Sequence, residues 1–333
     1  MGKIFKFKEL DFRFKRGINM KRVTAKAPVN IALIKYWGKR DNVNITPYNS
    51  SISITLDNLY TVTTIEESNE FSFYLNGKKQ TKEESQRVLL FLQNFASIDE
   101  ISKINVFSTN YVPTAAGLAS SASGFAALAV AANEYFNTQL EFKRLAAVTR
   151  MGSGSACRSL LGGFVAWNKT GEVYEITSPI KDLVLISVMI EEKQKPISSR
   201  KAMEITVNTS PLFPFWTIIT NRDFIDMKHA IVSGQYELIG ELTEKSARLM
   251  HATMLAANPP ILYMKDDSIV IWDLIQRLRS RGVYAYITMD AGPNVKILTK
   301  SSHQINILEE LKNLGFNTSV VSRIGEGARI ING

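Results

Sequence analysis

The run Pro113-Thr-Ala-Ala-Gly-Leu-Ala-Ser-Ser-Ala-Ser123 constrains this chain more than any other feature. It carries no charge, consists almost wholly of small residues, and leads straight into the apolar helical stretch Gly124–Ala132. Small residues at a loop-to-helix junction let backbone N–H groups point outward, and the helix start adds partial positive charge. Such a junction cradles a phosphate without any basic side chain. Ser120, Ser121 and Ser123 add hydroxyls suited to phosphate or to a magnesium ion bound with it. The same composition also suits a helix whose small face packs closely on a neighbour, so the run alone leaves both readings open.

Charge narrows the field. The net charge is +9, but residues 1–22 hold eight Lys/Arg against Glu9 and Asp11, a net +6. The body of the chain is therefore nearly balanced, which argues against a broad nucleic-acid footprint. No apolar run approaches the roughly 20 residues needed to span a bilayer. The basic leader alternates Lys with Phe and Ile, lacks a secretory apolar core, and fails the myristoylation pattern at position 6. Met20-Lys-Arg-Val-Thr-Ala resembles a natural protein start, so residues 1–19 read as a basic extension, with an added edge strand or membrane-surface arm as the other reading. Cys157 is the single cysteine, which fits a reducing cytoplasm.

Periodicity gives mixed α and β structure in two parts. Strand composition marks Val29–Ile34, Ser51–Leu56, Tyr60–Ile65 and Ile104–Ser108, and Asn76-Gly77 predicts a hairpin turn within Phe71–Gln80. Lys82–Ala96 and Glu141–Thr149 have helical spacing, Gly152–Arg158 opens another helix start, and Gly163–Trp167 with Val173–Thr177 forms a hairpin. From Leu183 the pattern restarts with a strand, helices over Ser198–Leu255 and Ser268–Arg281, and strands at Tyr284–Met289 and Val295–Leu298. Helix Gln304–Leu314 and strand Thr318–Ile324 close the sequence.

Familiar nucleotide and metal signatures are absent from the sequence: no GxxxxGK[ST], no GxGxxG, no HExxH and no paired CxxC. His229, His251 and His303 are scattered and read as helix-surface or core residues. Asp290 follows an apolar strand and precedes the tight Ala-Gly-Pro-Asn turn, a placement that aims a carboxylate into a cleft; a turn-forming Asp is the alternative. Arg158 follows Gly-Ser-Gly-Ser-Ala-Cys, where the serines can donate to an anion and the guanidinium can fork onto a carboxylate. Nothing adjacent would activate Cys157, which reads as a small buried neighbour of Arg158.

Three segments, PVNIALIKYWGKRD over residues 28–41, the Ser-rich run and DAGPN over residues 290–294, resemble the motifs of the GHMP small-molecule kinases. In detail they are similar to the diphosphomevalonate decarboxylase branch, and the likeness extends through RMGSGSACRSLLGGFVAW (150–167) and HATMLAANPPILYM (251–264). The resemblance implies an α+β, two-domain GHMP kinase fold: an N-terminal ribosomal-protein-S5-like domain and a C-terminal ferredoxin-like α/β sandwich domain, with the active site in the cleft. It divides the chain into residues 1–19, an N-terminal ATP-binding domain at 20–180 and a C-terminal domain at 181–333.

The implied activity is ATP-dependent decarboxylation of mevalonate 5-diphosphate to isopentenyl diphosphate, ADP, phosphate and CO2, through a 3-phosphorylated intermediate. A tertiary alcohol leaves poorly, so the C3 hydroxyl is phosphorylated first, and that phosphate departs as the carboxylate leaves as CO2. By resemblance Asp290, Lys35, Arg158 and Asn30 are catalytic: Asp290 as base or orienting group, Lys35 neutralising the transferring phosphate, Arg158 on the substrate carboxylate and Asn30 orienting Arg158. Tyr36, Lys39, Ser153, Ser155, Ser199 and Arg200 would line the substrate pocket, with Lys193 and Lys195 nearby. Gly117, Ala119, Ser120 and Ser121 would hold ATP, with Ser121 on magnesium. A bend near Lys35 is needed, because simple alternation puts Asn30 and Lys35 on opposite faces of one strand.

Expected partners are the small-molecule substrates ATP, with Mg2+, and mevalonate 5-diphosphate, in a cytoplasmic homodimer without nucleic acid or membrane. A decarboxylase of mevalonate 5-phosphate, a non-decarboxylating mevalonate 3-kinase, and a nucleic-acid or membrane-surface binding protein are the competing readings.

Overall fold

The computed structural model describes residues 21–41, 44–112, 120–190 and 197–332. The leader 1–19, Gly117, Ala119, Lys193 and Lys195 lie outside the described residues.

The first half opens with β1 (Arg22–Ile34), the short ribbon β2 (Lys39–Asp41) and β3 (Thr46–Pro47), then the long β4 (Ser51–Glu67). The hairpin β5 (Ser72–Leu75) and β6 (Lys78–Lys79) turns at Asn76-Gly77, both at positive φ as the sequence predicts. Helix α1 (Lys82–Leu92) begins at a capping box in which Thr81 and Glu84 satisfy each other's backbone N–H. After α2 (Ile98–Ile101) and β7 (Ile104–Tyr111) come α3 (Ser120–Tyr135) and α4 (Phe142–Gly152), a 3-10 turn at Gly154–Leu160, and the hairpin β8 (Phe164–Trp167) and β9 (Val173–Ile176).

The second half runs β10 (Leu183–Val188), α5 (Ser199–Thr209), α6 (Phe213–Val232), α7 (Tyr236–Leu255), α8 (Asp266–Ser280), β11 (Ala285–Met289), β12 (Val295–Lys300), α9 (Gln304–Asn313), β13 (Ser319–Arg323) and β14 (Arg329–Asn332). Strands β11-β12-β10-β13 form a four-stranded antiparallel sheet, while β14 returns to the first sheet and pairs with β1.

The eight-stranded first sheet follows the order β14-β1-β4-β7-β5-β6, with β8 and β9 added beside the first half of β4. The two strands expected at Ser51–Leu56 and Tyr60–Ile65 are one strand. Between the β1–β4 pairs Pro28↔Tyr60 and Asn30↔Thr55, Leu56–Leu59 bulge outward opposite Val29. The exposed tips of that bulge tie the two sheets together: Asp57 accepts from the Arg323 amide (2.9 Å) and Asn58 donates to the Val321 carbonyl (2.6 Å).

Helices α6 and α7 are wedged between the sheets. Phe224, Met227, Ile231, Ile239 and Leu242 meet Val29, Ile31 and Ile52 on one side and Leu183, Leu185, Tyr286 and Leu298 on the other. Helices α3 and α4 cover the far face of the first sheet, and α8 and α9 that of the second. Each fully buried aliphatic chain contributes roughly 1.5–3 kcal/mol, so the wedge fixes how the sheets face each other where β1 ends. The α+β, two-sheet architecture is the one expected.

Candidate active site

A second bulge sits at the end of β1. Ala32 pairs with Ser53 and Ile34 with Ile52, so Leu33 is an extra residue with no counterpart on β4. One extra residue inverts the alternation that follows. Ile34 takes the face it would otherwise avoid, and Lys35 comes to the same face as Asn30. This is the bend the sequence required. The Lys35 backbone is then locked, its N–H donating to Ser246 Oγ on α7 (2.9 Å) and its carbonyl accepting from Asn49 Nδ2 (2.7 Å).

Asp290 follows β11, in a turn closed by the Gly292 amide donating to its carbonyl (2.9 Å). Its carboxylate lies between two ammonium groups, Lys35 Nζ at 2.8 Å from Oδ1 and Lys296 Nζ at 3.2 Å from Oδ2. Both lysine side chains are almost wholly buried, at 1% and 2% exposed, whereas Asp290 keeps 29% of its surface open to the cleft. Burial alone would raise the Asp290 pKa, but Lys35 and Lys296 together hold it well below the usual carboxylate range. Burial also pushes the Lys35 ammonium below the ordinary lysine value, against the pull of Asp290. The sequence reading missed Lys296, although a lysine between Val295 and Ile297 in the apolar central strand β12 was a visible signal.

Arg158 is buried on the 3-10 turn and carries a fixed set of bonds. Its Nε and Nη2 donate to Asn30 Oδ1 (3.3 and 3.2 Å), and Nη1 donates to Ser51 Oγ (2.6 Å). Asn30 is oriented in turn by donating to the Ser155 carbonyl (3.1 Å) and Ser159 Oγ (2.8 Å). A guanidinium has five N–H donors, so two remain for a planar anion. A full helix start expected at Gly152–Arg158 is replaced by the 3-10 turn, because α4 runs on to Gly152 and Ser153 is extended before the chain restarts. Gly154 is required there, since a Cβ would lie 2.9 Å from the Tyr36 hydroxyl.

A second group lies at the rim. Tyr36 packs on Trp167 with ring centroids 4.8 Å apart, and its buried hydroxyl has no hydrogen-bond partner among the described residues. Lys39 is pushed below the ordinary lysine range by burial and by Arg200 and Arg87, and Arg87 is lowered by burial and by Arg200. Arg87 on α1, absent from the sequence reading, rests on the Phe125 ring and donates to the Gly152 carbonyl. Among the described residues none of the three cations has a carboxylate partner. Ser199 and Arg200 form the first turn of α5, capped by Ser198 accepting from the Lys201 amide (3.2 Å). The loop after β1 reaches this helix through Gly38 (φ +94), where a Cβ would strike Val207 at 2.8 Å. Ser153 and Ser155 lie between the two groups, half-buried on either side of Gly154.

Ser120 and Ser121 begin α3, whose first turn holds no acidic residue. Ser123 is fully buried and bonded to Thr61 (2.7 Å), so it is not a third hydroxyl for phosphate. Cys157 is a buried thiol pushed up to about 12 by burial. His229 is exposed, whereas His251 is buried against Asp290, hydrogen-bonded to its backbone and pushed down to about 4 by burial and then by Lys35.

The two-sheet α+β fold is that of the GHMP kinase-like class. Two family models match the chain, the diphosphomevalonate decarboxylase-like N-terminal domain over residues 27–178 and the mevalonate 5-diphosphate decarboxylase C-terminal domain over residues 184–329. The diphosphomevalonate decarboxylase of Debaryomyces hansenii is 37% identical over 316 residues, covering 86% of this chain and 81% of that one. The crystal structure of mevalonate diphosphate decarboxylase from Staphylococcus aureus aligns with TM-score 0.89 at 39% identity, covering 94% of this chain and 98% of that one. A structure of MDDEF in complex with MVAPP, AMPPCP and magnesium aligns with TM-score 0.87 at 38% identity, covering 94% of this chain and 100% of that one. The chain belongs to the diphosphomevalonate decarboxylase family.

Proposed function

We propose that this cleft converts mevalonate 5-diphosphate to isopentenyl diphosphate and CO2 with consumption of ATP. The observation that carries the reading is the Asp290 carboxylate clamped between Lys35 and Lys296 beside Arg158. Asp290 turns an oxygen toward the C3 hydroxyl. A carboxylate held this acidic is a weak base at equilibrium, so it orients the hydroxyl and accepts its proton late, as the new P–O bond forms. Lys35 and Lys296 stabilise the negative charge gathering around that bond. Arg158, with two N–H groups free, holds the substrate carboxylate in line with the breaking C–C bond. Its electron pair becomes the new double bond as the 3-phosphate departs.

Tyr36, Lys39, Arg87, Ser199 and Arg200 take the 5-diphosphate, with Ser153 and Ser155 lining the pocket between the diphosphate and Arg158. The acid-free N-terminus of α3, with Ser120 and Ser121, fits the phosphates of a nucleotide, and Gly117 and Ala119 are proposed for the same cradle. No group of three or more His, Cys, Asp or Glu among the described residues could hold a metal. Magnesium would therefore enter on the nucleotide, with Ser121 as its protein ligand. ATP supplies the phosphoryl group that turns the hydroxyl into a leaving group.

A division of the chain after residue 180, between β9 and β10, fits this cleft, with β14 as the strand that crosses back. A cytoplasmic setting is supported by the buried free thiol of Cys157, and no described helix is long and apolar enough to cross a membrane.

Purified protein with ATP, magnesium and mevalonate 5-diphosphate should release ADP and CO2 in equal yield, and the 5-phosphate should turn over far more slowly. ADP without CO2 would overturn the assignment of Arg158.

A further inference from the structure

The last turns of α7, the extended segment 261–264 and the first turns of α8 enclose a cavity of about 310 Å3. On α7 it is faced by Arg248, His251, Ala252 and Leu255, which share one side of the helix at spacings of three and four residues. Ile261, Met264 and Trp272 form apolar walls, and Leu255, Leu262 and Ile269 keep 54%, 65% and 60% of their surface exposed at the mouth. The walls are held in place. The Ile261 amide donates to the Met254 carbonyl (3.1 Å), Tyr263 Oη to the Ile197 carbonyl (3.1 Å) and Ser268 Oγ to the Pro293 carbonyl (2.9 Å). A preformed apolar hollow with few polar groups is the ordinary form of a small-molecule site.

His251 supplies the polar group. Its side chain is buried, at 7% exposed, and Nε2 has no hydrogen-bond partner among the described residues. The bond between the ring and the Asp290 backbone favours the protonated imidazole, so it is a donation to a carbonyl and comes from the other nitrogen, Nδ1. Nε2 of the neutral ring is then an acceptor, and a buried acceptor without a donor is costly. Ser268 already donates to Pro293, and Arg248 is exposed, so neither competes for the interior of the cavity. We infer that this cavity binds a small apolar molecule carrying one hydroxyl group, which donates its proton to His251 Nε2 while its hydrocarbon body packs on Leu255, Ile261, Met264 and Trp272. A pure hydrocarbon would leave Nε2 unpaired, and a carboxylate would set its charge against a lone pair. Size sets the other limit. Benzene, with six non-hydrogen atoms, fills an apolar cavity of about 150 Å3, so about twelve such atoms fit here. Every lining residue falls between 248 and 272, and none belongs to the groups assigned to catalysis or to phosphate. The inference therefore stands apart from the proposed chemistry of the cleft.

Calorimetric titration of the full chain with 4-tert-butylphenol should show one site with Kd below about 1 mM, unchanged when ATP and magnesium are present. Its methyl ether, 4-tert-butylanisole, has the same body without the donor and should bind about tenfold more weakly. The phenol should alter tryptophan emission, and W272F should abolish that change while calorimetric binding survives. A252W, which places an indole across the mouth, should weaken binding at least about tenfold with melting temperature and decarboxylation retained. H251F should bring the phenol down to the affinity of its ether. No saturable binding, equal affinity for phenol and ether, competition with ATP, or binding indifferent to A252W would each overturn the inference.

Discussion

The clamp at the end of β1 and the rim of the cleft are both rich in cations, yet they are built in opposite ways. In the clamp every cation is bonded within the protein: Lys35 and Lys296 to Asp290, and Arg158 to the neutral side chains of Asn30 and Ser51. Its members stand on strand ends and a tight turn, and they are buried. At the rim, burial and the Arg200 guanidinium lower both Lys39 and Arg87, and none of the three cations has a carboxylate partner among the described residues. Partnered buried charges hold geometry, and unpartnered half-exposed ones hold affinity for an anion. Substitutions in the first group should therefore strike turnover and folding together, and those in the second should strike binding.

The largest expected effect is that of D290N. Losing the proton acceptor should lower turnover by roughly 10²–10⁴-fold, read as single-turnover ADP release. Leaving two buried ammonium groups without a counter-charge should also cost about 3 kcal/mol, visible in urea unfolding. A variant that folds normally and binds weakly would place Asp290 with the rim instead. Next is R158K, which exchanges a planar fork for a point charge; CO2 release should fall about 100-fold with binding of the diphosphate little changed.

R200A should do the reverse, raising KM about 10–50-fold, more steeply at low salt, with turnover altered by less than about threefold. The rim also predicts a pH signature. Lys39 is depressed, so diphosphate affinity should begin to fall on the alkaline side below the ordinary lysine pKa of 10.5, and K39R should move that fall to higher pH.

The smallest effect concerns His251, which is pushed down to about 4 in the folded protein from 6.5. Between those values the unfolded chain binds the extra proton, so stability should rise with pH across that window and be lost as pH drops toward 4. H251Q should flatten that slope.

The sequence made some of this legible and hid the rest for physical reasons. Helix starts at Thr81 and Ser198 carry their caps in the letters, and the Asn76-Gly77 turn announces itself. Lys296 was legible too, as a charge that an apolar central strand does not tolerate without a partner. Arg87 was not, because an arginine on an amphipathic surface helix looks the same whether it meets solvent or a pocket. The union of two expected strands into β4, and the pairing of β14 with β1, depend on contacts between residues far apart in the chain. Local pattern carries no trace of them. The turn of Lys35 toward Asn30 belongs with these, since it arises from a mismatch in register between β1 and β4.

That mismatch makes β1 a ruler. Most positions near a cleft tolerate some exchange of one side chain for another, and the strand would accept Val or Met at Leu33 with modest loss. Its length is a different matter. Removing Leu33, or adding one residue beside it, would rotate Lys35 by half a turn of the strand and point its ammonium away from Asp290, with every original side chain still present. Chains of this kind are therefore free to drift in composition along β1 but not in count, and a single-codon deletion there should be as damaging as loss of the lysine itself.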